Sequence, residues 1–160
     1  MTRTRLIQFA AAGSAALLAA AFIFQALGWA PCKMCLWQRW PHAGAVLLGM
    51  ISLWIGPKRA LAILGALATF NTAAIAAFHS GVERKWWDGP ASCSGSGNAL
   101  SALQADQLVP GAGDVPILIM CDSFTPFLAG LSMANWNLVA SLGLTAVWVL
   151  AATQPKTNHP

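Results

Sequence analysis

Four cysteines carry the reactive chemistry of this chain, and their spacing divides them into two pairs. Cys32 and Cys35 form a Cys-x-x-Cys unit directly after the first apolar run. Such a unit supports either reversible dithiol–disulfide exchange or metal ligation. Cys93 and Cys121, with 27 residues between them, fall in the only long polar stretch. A second pair in the same compartment is a partner with which electrons can be exchanged, so the pattern points to a membrane-embedded thiol oxidoreductase. Zinc is the competing reading, but two Cys-x-x-Cys units would be its strong form and only one is present. A purely structural Cys93–Cys121 disulfide that staples an exported loop stays open beside the redox role.

The flanking residues bear on reactivity. A thiolate rather than a thiol attacks disulfides, so a redox cysteine needs a lowered pKa. Cys35 is expected at the start of the second helix, where the positive end of the helix dipole favours an anion. Arg39 follows one turn later on the same face, fit to stabilise a thiolate or an oxyanion on a bound electron acceptor. Its bland alternative is a boundary arginine snorkelling to water. His79 is either a proton relay or a surface histidine that ends the third span. Gln25 is either a helix–helix hydrogen-bonding residue or a ligand for a polar head group.

The elements that position these residues are membrane spans. Of 160 residues, 57% are hydrophobic and 9% charged, against roughly 25% charged in an ordinary soluble domain. So few charges cannot cover a water-facing surface, and much of the exterior must face lipid. The excess of basic residues, scattered singly or in pairs, forms no stripe for nucleic acid. Leu6–Leu27, Ala60–Phe78 and Met133–Ala152 are runs of 22, 19 and 20 residues without a charge. Trp40–Ile55 has only 16, short of the roughly 17–25 that a span needs, but it lies between two spans. Gly56 and Pro57 stop it and make a tight helical hairpin with the third run. The expected architecture is one all-α domain of four transmembrane helices, about 6–27, 40–55, 60–78 and 133–152, with outer loops 28–39 and 79–132. The longer loop is irregular, with a short helix over Asn98–Leu108 and an apolar stretch, Phe124–Leu131, lying against the membrane.

Orientation follows from the basic residues. Arg3, Arg5, Lys58, Arg59 and Lys156 fall on the termini and the hairpin loop, unopposed by any acidic residue. By the positive-inside rule the termini are cytoplasmic and all four cysteines face an oxidising compartment such as the periplasm. Trp29, Trp37, Trp40, Trp86, Trp87 and Trp136 fall near the outer boundary as an aromatic belt. A cleaved signal peptide is the rival reading of the N-terminus, but its h-region would be too long.

Phe24-Gln25, Pro31-Cys32-Lys33-Met34-Cys35 and Gln38-Arg39 resemble the first outer loop of the disulfide bond formation protein B family (DsbB). His79-Ser80-Gly81-Val82-Glu83, Trp87 and Ala91-Ser92-Cys93 resemble its approach to the third cysteine. Cys121-Asp122, Gly130-Leu131-Ser132-Met133 and Trp136-Asn137 resemble its fourth cysteine and entry to the last helix. Met120 departs from the pattern where some members carry arginine. The resemblance implies an enzyme of the bacterial inner membrane that reoxidises a periplasmic DsbA-like thiol oxidase and passes the electrons to a membrane quinone, ubiquinone or menaquinone. It implies that Cys93 forms the mixed disulfide, that Cys121 then attacks Cys32, and that Cys35 becomes the thiolate beside the quinone. Arg39 would lie near a quinone oxygen, with Gln25 a further quinone-site residue. Two rivals are a vitamin K epoxide reductase-like enzyme, disfavoured because its Cys-x-x-Cys would come late in the chain, and a non-enzymatic scaffold with a stapled loop.

Overall fold

The computed structural model describes residues 1–90, 93, 120–124 and 126–155. The expected helix over Asn98–Leu108 lies outside them, as does Lys156. Four helices dominate: α1 (Arg3–Ala26), α2 (Lys33–Ile55), α3 (Arg59–Glu83) and α4 (Met133–Thr153). They pack in a ring, α1 on α2, α2 on α3, α3 on α4 and α4 on α1.

The helices bury small residues and expose large ones. Ala10, Ala45, Ala62, Ala76 and Ala151 are fully buried, while Phe9, Phe22, Leu53, Trp54 and Phe70 face outward. Lipid is as apolar as leucine, so burying large side chains gains little in a bilayer; close backbone approach through small ones is the better packing. Gly49 of α2 lies against Ala11 of α1, and Gly65 of α3 lies under the Trp148 indole of α4. Three helices, α1, α3 and α4, are long and apolar enough to cross a membrane. Helix α2 spans 23 residues, but Lys33, Gln38, Arg39 and His42 dilute its apolarity.

Two helices extend beyond their apolar runs. Helix α2 begins at Lys33, seven residues before its apolar run and two before the start expected at Cys35, because the Cys32 sulfur caps it by accepting the Cys35 N–H at 3.3 Å. It also passes through Pro41, whose ring crowds the Trp37 carbonyl and offers no N–H to it. One residue on, Thr72 of α3 donates to the Gln38 carbonyl at 3.2 Å. Helix α3 continues past Phe78 to Glu83 because His79, Ser80 and Glu83 are buried rather than solvated.

Helices α1 and α3 end in the same cap. Trp29 N–H bonds Phe24 O while Gly28 N–H bonds Gln25 O, and Trp86 N–H bonds Gly81 O while Lys85 N–H bonds Val82 O. Gly28 (φ 94°) and Lys85 (φ 58°) take the left-handed position of this motif. Ahead of α4, β1 (Pro126–Leu128) and β2 (Leu131–Ser132) form a small hairpin. Its turn residues Ala129 and Gly130 both have positive φ, as a primed turn requires. Phe127 packs edge-on against Phe24 and Trp29, with ring centroids 5.2 and 6.1 Å away. The apolar stretch expected to lie on the membrane surface is thus folded against the end of α1.

At the opposite end Arg3 is buried rather than solvated. Its guanidinium donates to Ala151 O at 3.2 Å, to Pro57 O at 3.4 Å and to Gln154 O. The bonds to Ala151 and Gln154 satisfy carbonyls at the C-terminus of α4, where a cation is also favoured by the helix dipole, and the one to Pro57 ties in the α2–α3 connection.

Candidate functional site

The two cysteine pairs meet at one end of the ring. Cys93 and Cys121 form a disulfide with Cα atoms 4.9 Å apart. Cys121 N–H also bonds Cys93 O at 2.9 Å. Both are buried, in one cluster with Cys32, Met34 and Val82 that Cys35 flanks. Cys32 and Cys35 are free thiols whose sulfurs are 2.8 Å apart.

The thiolate-stabilising position differs from the expectation. With α2 starting at Lys33, the sulfur on its N-terminus is that of Cys32, not Cys35. The hydrogen bond from the Cys35 thiol holds the Cys32 thiol down, from an ordinary value near 9 to about 4, against the opposing effect of burial. The nearby His79 ring, with Nε2 at 3.6 Å from the sulfur, adds to the lowering.

His79 is a buried residue of α3, not a surface histidine. A chain of amides holds its ring. Asn137 Nδ2 donates to Gln38 Oε1 at 2.6 Å, and Gln38 Nε2 donates to His79 Nδ1 at 3.1 Å. That leaves the proton on Nε2, between Cys32 Sγ and Glu83 Oε1, the latter at 3.8 Å. Glu83 Oε2 accepts the Ser132 hydroxyl at 2.5 Å. Ser132 in turn caps α4 by accepting the Asn135 N–H. Beyond Asn137, His42 Nε2 donates to Asn137 Oδ1 at 3.1 Å, and His42 Nδ1 is buried with no partner among the described residues.

A cavity of about 450 Å³ opens beside the sulfurs, within the range of small-molecule sites. Cys32, Cys35 and Cys121 lie on its wall together with Arg39, His42 and His79. Leu17, Leu18, Phe24 and Phe127 add apolar surface to its lining. Cys93 and Gln25 are not on the wall. Arg39 does not turn towards Cys35. It reaches across to α1, donating to Gln25 Oε1 at 2.7 Å and to Ala21 O at 3.4 Å, with its carbon 4.8 Å over the Phe22 ring. Gln25 therefore anchors the arginine. Met120 also borders the cavity, where it brings no charge.

Gln38, Glu83, Ser132 and Asn137 entered the sequence reading only as residues of the family resemblance, with no role assigned, and His42 did not enter it. One signal was present: Gln38, Arg39 and His42 follow Cys35 at helical spacing in an otherwise apolar helix, and polar residues in such a segment are functional candidates by default. The pairing of Gln38 with Asn137, far apart in the chain, left no mark in either local sequence.

The chain matches the family Disulfide bond formation protein DsbB over residues 3–151. A Xanthomonas campestris pv. campestris protein named Disulfide bond formation protein B is 32% identical over 149 residues, 86% of this chain and 83% of that one. Relatives of the same name from Xanthomonas oryzae pv. oryzae and Xanthomonas euvesicatoria pv. vesicatoria are 31% and 30% identical with the same coverage. No solved structure matches the chain. With apolar membrane-spanning helices, paired cysteines and a match over nearly its whole length, this chain belongs to the disulfide bond formation protein B family.

Proposed function

We propose that the chain is a thiol:quinone oxidoreductase of the bacterial inner membrane that reoxidises a DsbA-like periplasmic dithiol protein. In this reading all four helices span, the termini are cytoplasmic and the cysteines are periplasmic. The observation that carries it is the shared cavity: Cys32, Cys35 and Cys121 line it together with Arg39 and apolar side chains such as Leu17, Phe24 and Phe127. A flat, lipid-soluble ring fits such a space, with a cation available to an oxygen and a thiolate to the ring. When bound, a quinone would accept the two electrons that leave the dithiol.

The steps follow from the order of sulfurs. The partner's thiolate attacks Cys93, which breaks the Cys93–Cys121 disulfide and leaves Cys121 as a thiolate. Because Cys93 is buried, the segment around this disulfide must open for the attack. The partner's second thiol then releases Cys93. Cys121 attacks the Cys32 sulfur of the Cys32–Cys35 disulfide and frees Cys35 as a thiolate on the cavity wall. Cys93, as a thiolate, regains its bond to Cys121, and Cys32 leaves as a thiolate, the form that the Cys35 thiol and His79 stabilise. The net transfer is two electrons and two protons from the partner's dithiol to the Cys32–Cys35 pair, which passes them to the acceptor. His79 sits where it can hold or hand over a proton at the Cys32 sulfur.

The test is anaerobic. Purified protein is mixed with a reduced DsbA-like protein and a short-tailed quinone, and quinone absorbance is followed. One quinone reduced per partner disulfide formed is the expected stoichiometry. Partner oxidation that continues without quinone beyond what the protein's own two disulfides can supply, or no partner oxidation at all, would refute the reading.

A further inference from the structure

Three donors at this site suit a second ligand that thiol exchange does not use. We propose that the reduced protein binds a thiophilic divalent cation, with zinc as the probe, through Cys32 Sγ, Cys35 Sγ and His79 Nε2. Among the described residues these three ligand atoms lie within 4.8 Å of one another. Tetrahedral zinc, with bonds of about 2.3 Å to sulfur and 2.0–2.1 Å to nitrogen, sets a sulfur and a nitrogen ligand about 3.6 Å apart. Cys32 Sγ and His79 Nε2 are 3.6 Å apart. The two sulfurs, now at 2.8 Å, have to part to about 3.8 Å, which rotation of the Cys35 side chain towards the cavity provides. Two cysteines and a histidine leave the fourth position open, and it faces the cavity with the Glu83 carboxylate alongside.

The site is gated by redox state. A Cys32–Cys35 disulfide has no thiolate to offer, so only the reduced pair binds, releasing thiol protons as the metal enters. The bound cation then holds both sulfurs and blocks their reoxidation. The sequence argued against zinc for want of a second Cys-x-x-Cys; the missing ligand is a histidine from another helix. His79 must bind through Nε2 with its proton on Nδ1. Gln38 then has to present Oε1 instead of Nε2, which is the acceptor role that partners of metal-bound histidines play.

The test uses full-length protein with Cys93→Ser and Cys121→Ser, so that one dithiol remains. The reduced protein is titrated anaerobically with Co²⁺ and then Zn²⁺. The expected result is one equivalent of cobalt with thiolate charge-transfer bands and a tetrahedral visible spectrum, displaced by zinc, and no uptake once the pair is oxidised. His79→Ala should weaken binding at least about tenfold, taking the lower figure for a lost supporting partner as a floor. Gln38→Glu, a permanent acceptor for the Nδ1 proton, should tighten it. Zinc should also stop reoxidation of the dithiol by added diamide, a two-electron thiol oxidant, until a chelator is added. A weak octahedral spectrum, equal uptake by oxidised protein, or unchanged affinity in either variant overturns the proposal. The comparison of reduced with oxidised protein needs no change at His79, so misfolding of that variant does not protect the proposal. No step of this test uses quinone or the partner protein, so it can fail while the proposed function stands.

Discussion

Arg39 and Gln25 can be separated by a double-substitution experiment, because the structure gives them different jobs. Arg39 borders the cavity and Gln25 only holds it. A hydrogen bond from a guanidinium to a developing oxyanion is worth about 1.5–3 kcal/mol. Each 1.36 kcal/mol is tenfold in rate, so Arg39→Ala should slow quinone reduction roughly ten- to a hundredfold. The Arg39–Gln25 bond is short, at 2.7 Å, but exposed, so water replaces most of it when Gln25 is removed. What is lost is orientation of the fork, about 0.5–1 kcal/mol, or roughly two- to fivefold in rate. Arg39→Lys keeps the charge without the fork and should fall between wild type and Arg39→Ala. The decisive value is Gln25→Ala measured on top of Arg39→Ala. With nothing left to anchor, the second substitution should cost less than about twofold. The assay is single-turnover, anaerobic reduction of a short-tailed quinone, with partner thiol exchange measured in parallel as a control that should hold. Equal slowing by Gln25→Ala in both backgrounds would show that Gln25 meets the acceptor itself. Unchanged quinone reduction in Arg39→Ala would reduce Arg39 to a boundary residue.

Four further outcomes are expected. Cys121→Ser should trap the partner on Cys93 as a mixed disulfide visible on non-reducing gels, and Cys93→Ser should trap none; trapping through Cys121 would reverse the assigned order. A membrane-impermeant thiol reagent should label Cys93 and Cys121 in intact, reduced cells, and labelling only after the inner membrane is permeabilised would invert the topology. Alkylation of Cys32 in the reduced protein should stay level from neutral pH down to about pH 5 and fall as pH approaches its pKa of about 4. The sign for stability follows: a thiol depressed in the folded state stabilises the reduced protein fully above its unfolded value near 9, and that contribution is lost as pH falls through about 4; a rate still rising from pH 7 to 9 contradicts the geometry. Gly65→Val should lower stability by about 1–3 kcal/mol, read from unfolding in detergent, because its new methyl groups meet the fully buried Trp148 ring; an unchanged midpoint would mean that α3 and α4 are not so closely packed.

What the sequence disclosed and what it hid divide along a physical line. Helices α1 and α4 were plain because lipid-facing segments must be apolar over a fixed length. The first turns of α2 fell outside its apolar run because Lys33, Gln38 and Arg39 interrupt it; the helix start was placed at Cys35, two residues late, because a cysteine is an unusual cap. The end of α3 was hidden for a related reason: His79 and Glu83 look solvated in a sequence, yet each is buried against a partner from another part of the chain. The cysteines and Arg39 could be singled out by type and spacing. The supporting polar residues could not, since Asn137, Gln38 and His79 come from three different helices.

The buried Arg3 carries a consequence for how the protein is made. Its guanidinium is made 148 and 151 residues before the Ala151 and Gln154 carbonyls that receive it. At about 5–20 residues per second that gap is on the order of 7–30 seconds. During that time the side chain has neither of those carbonyls to bond. Only after α4 arrives can it clasp the first helix to the last. The ring of helices is therefore closed late, by an early residue acting on late ones.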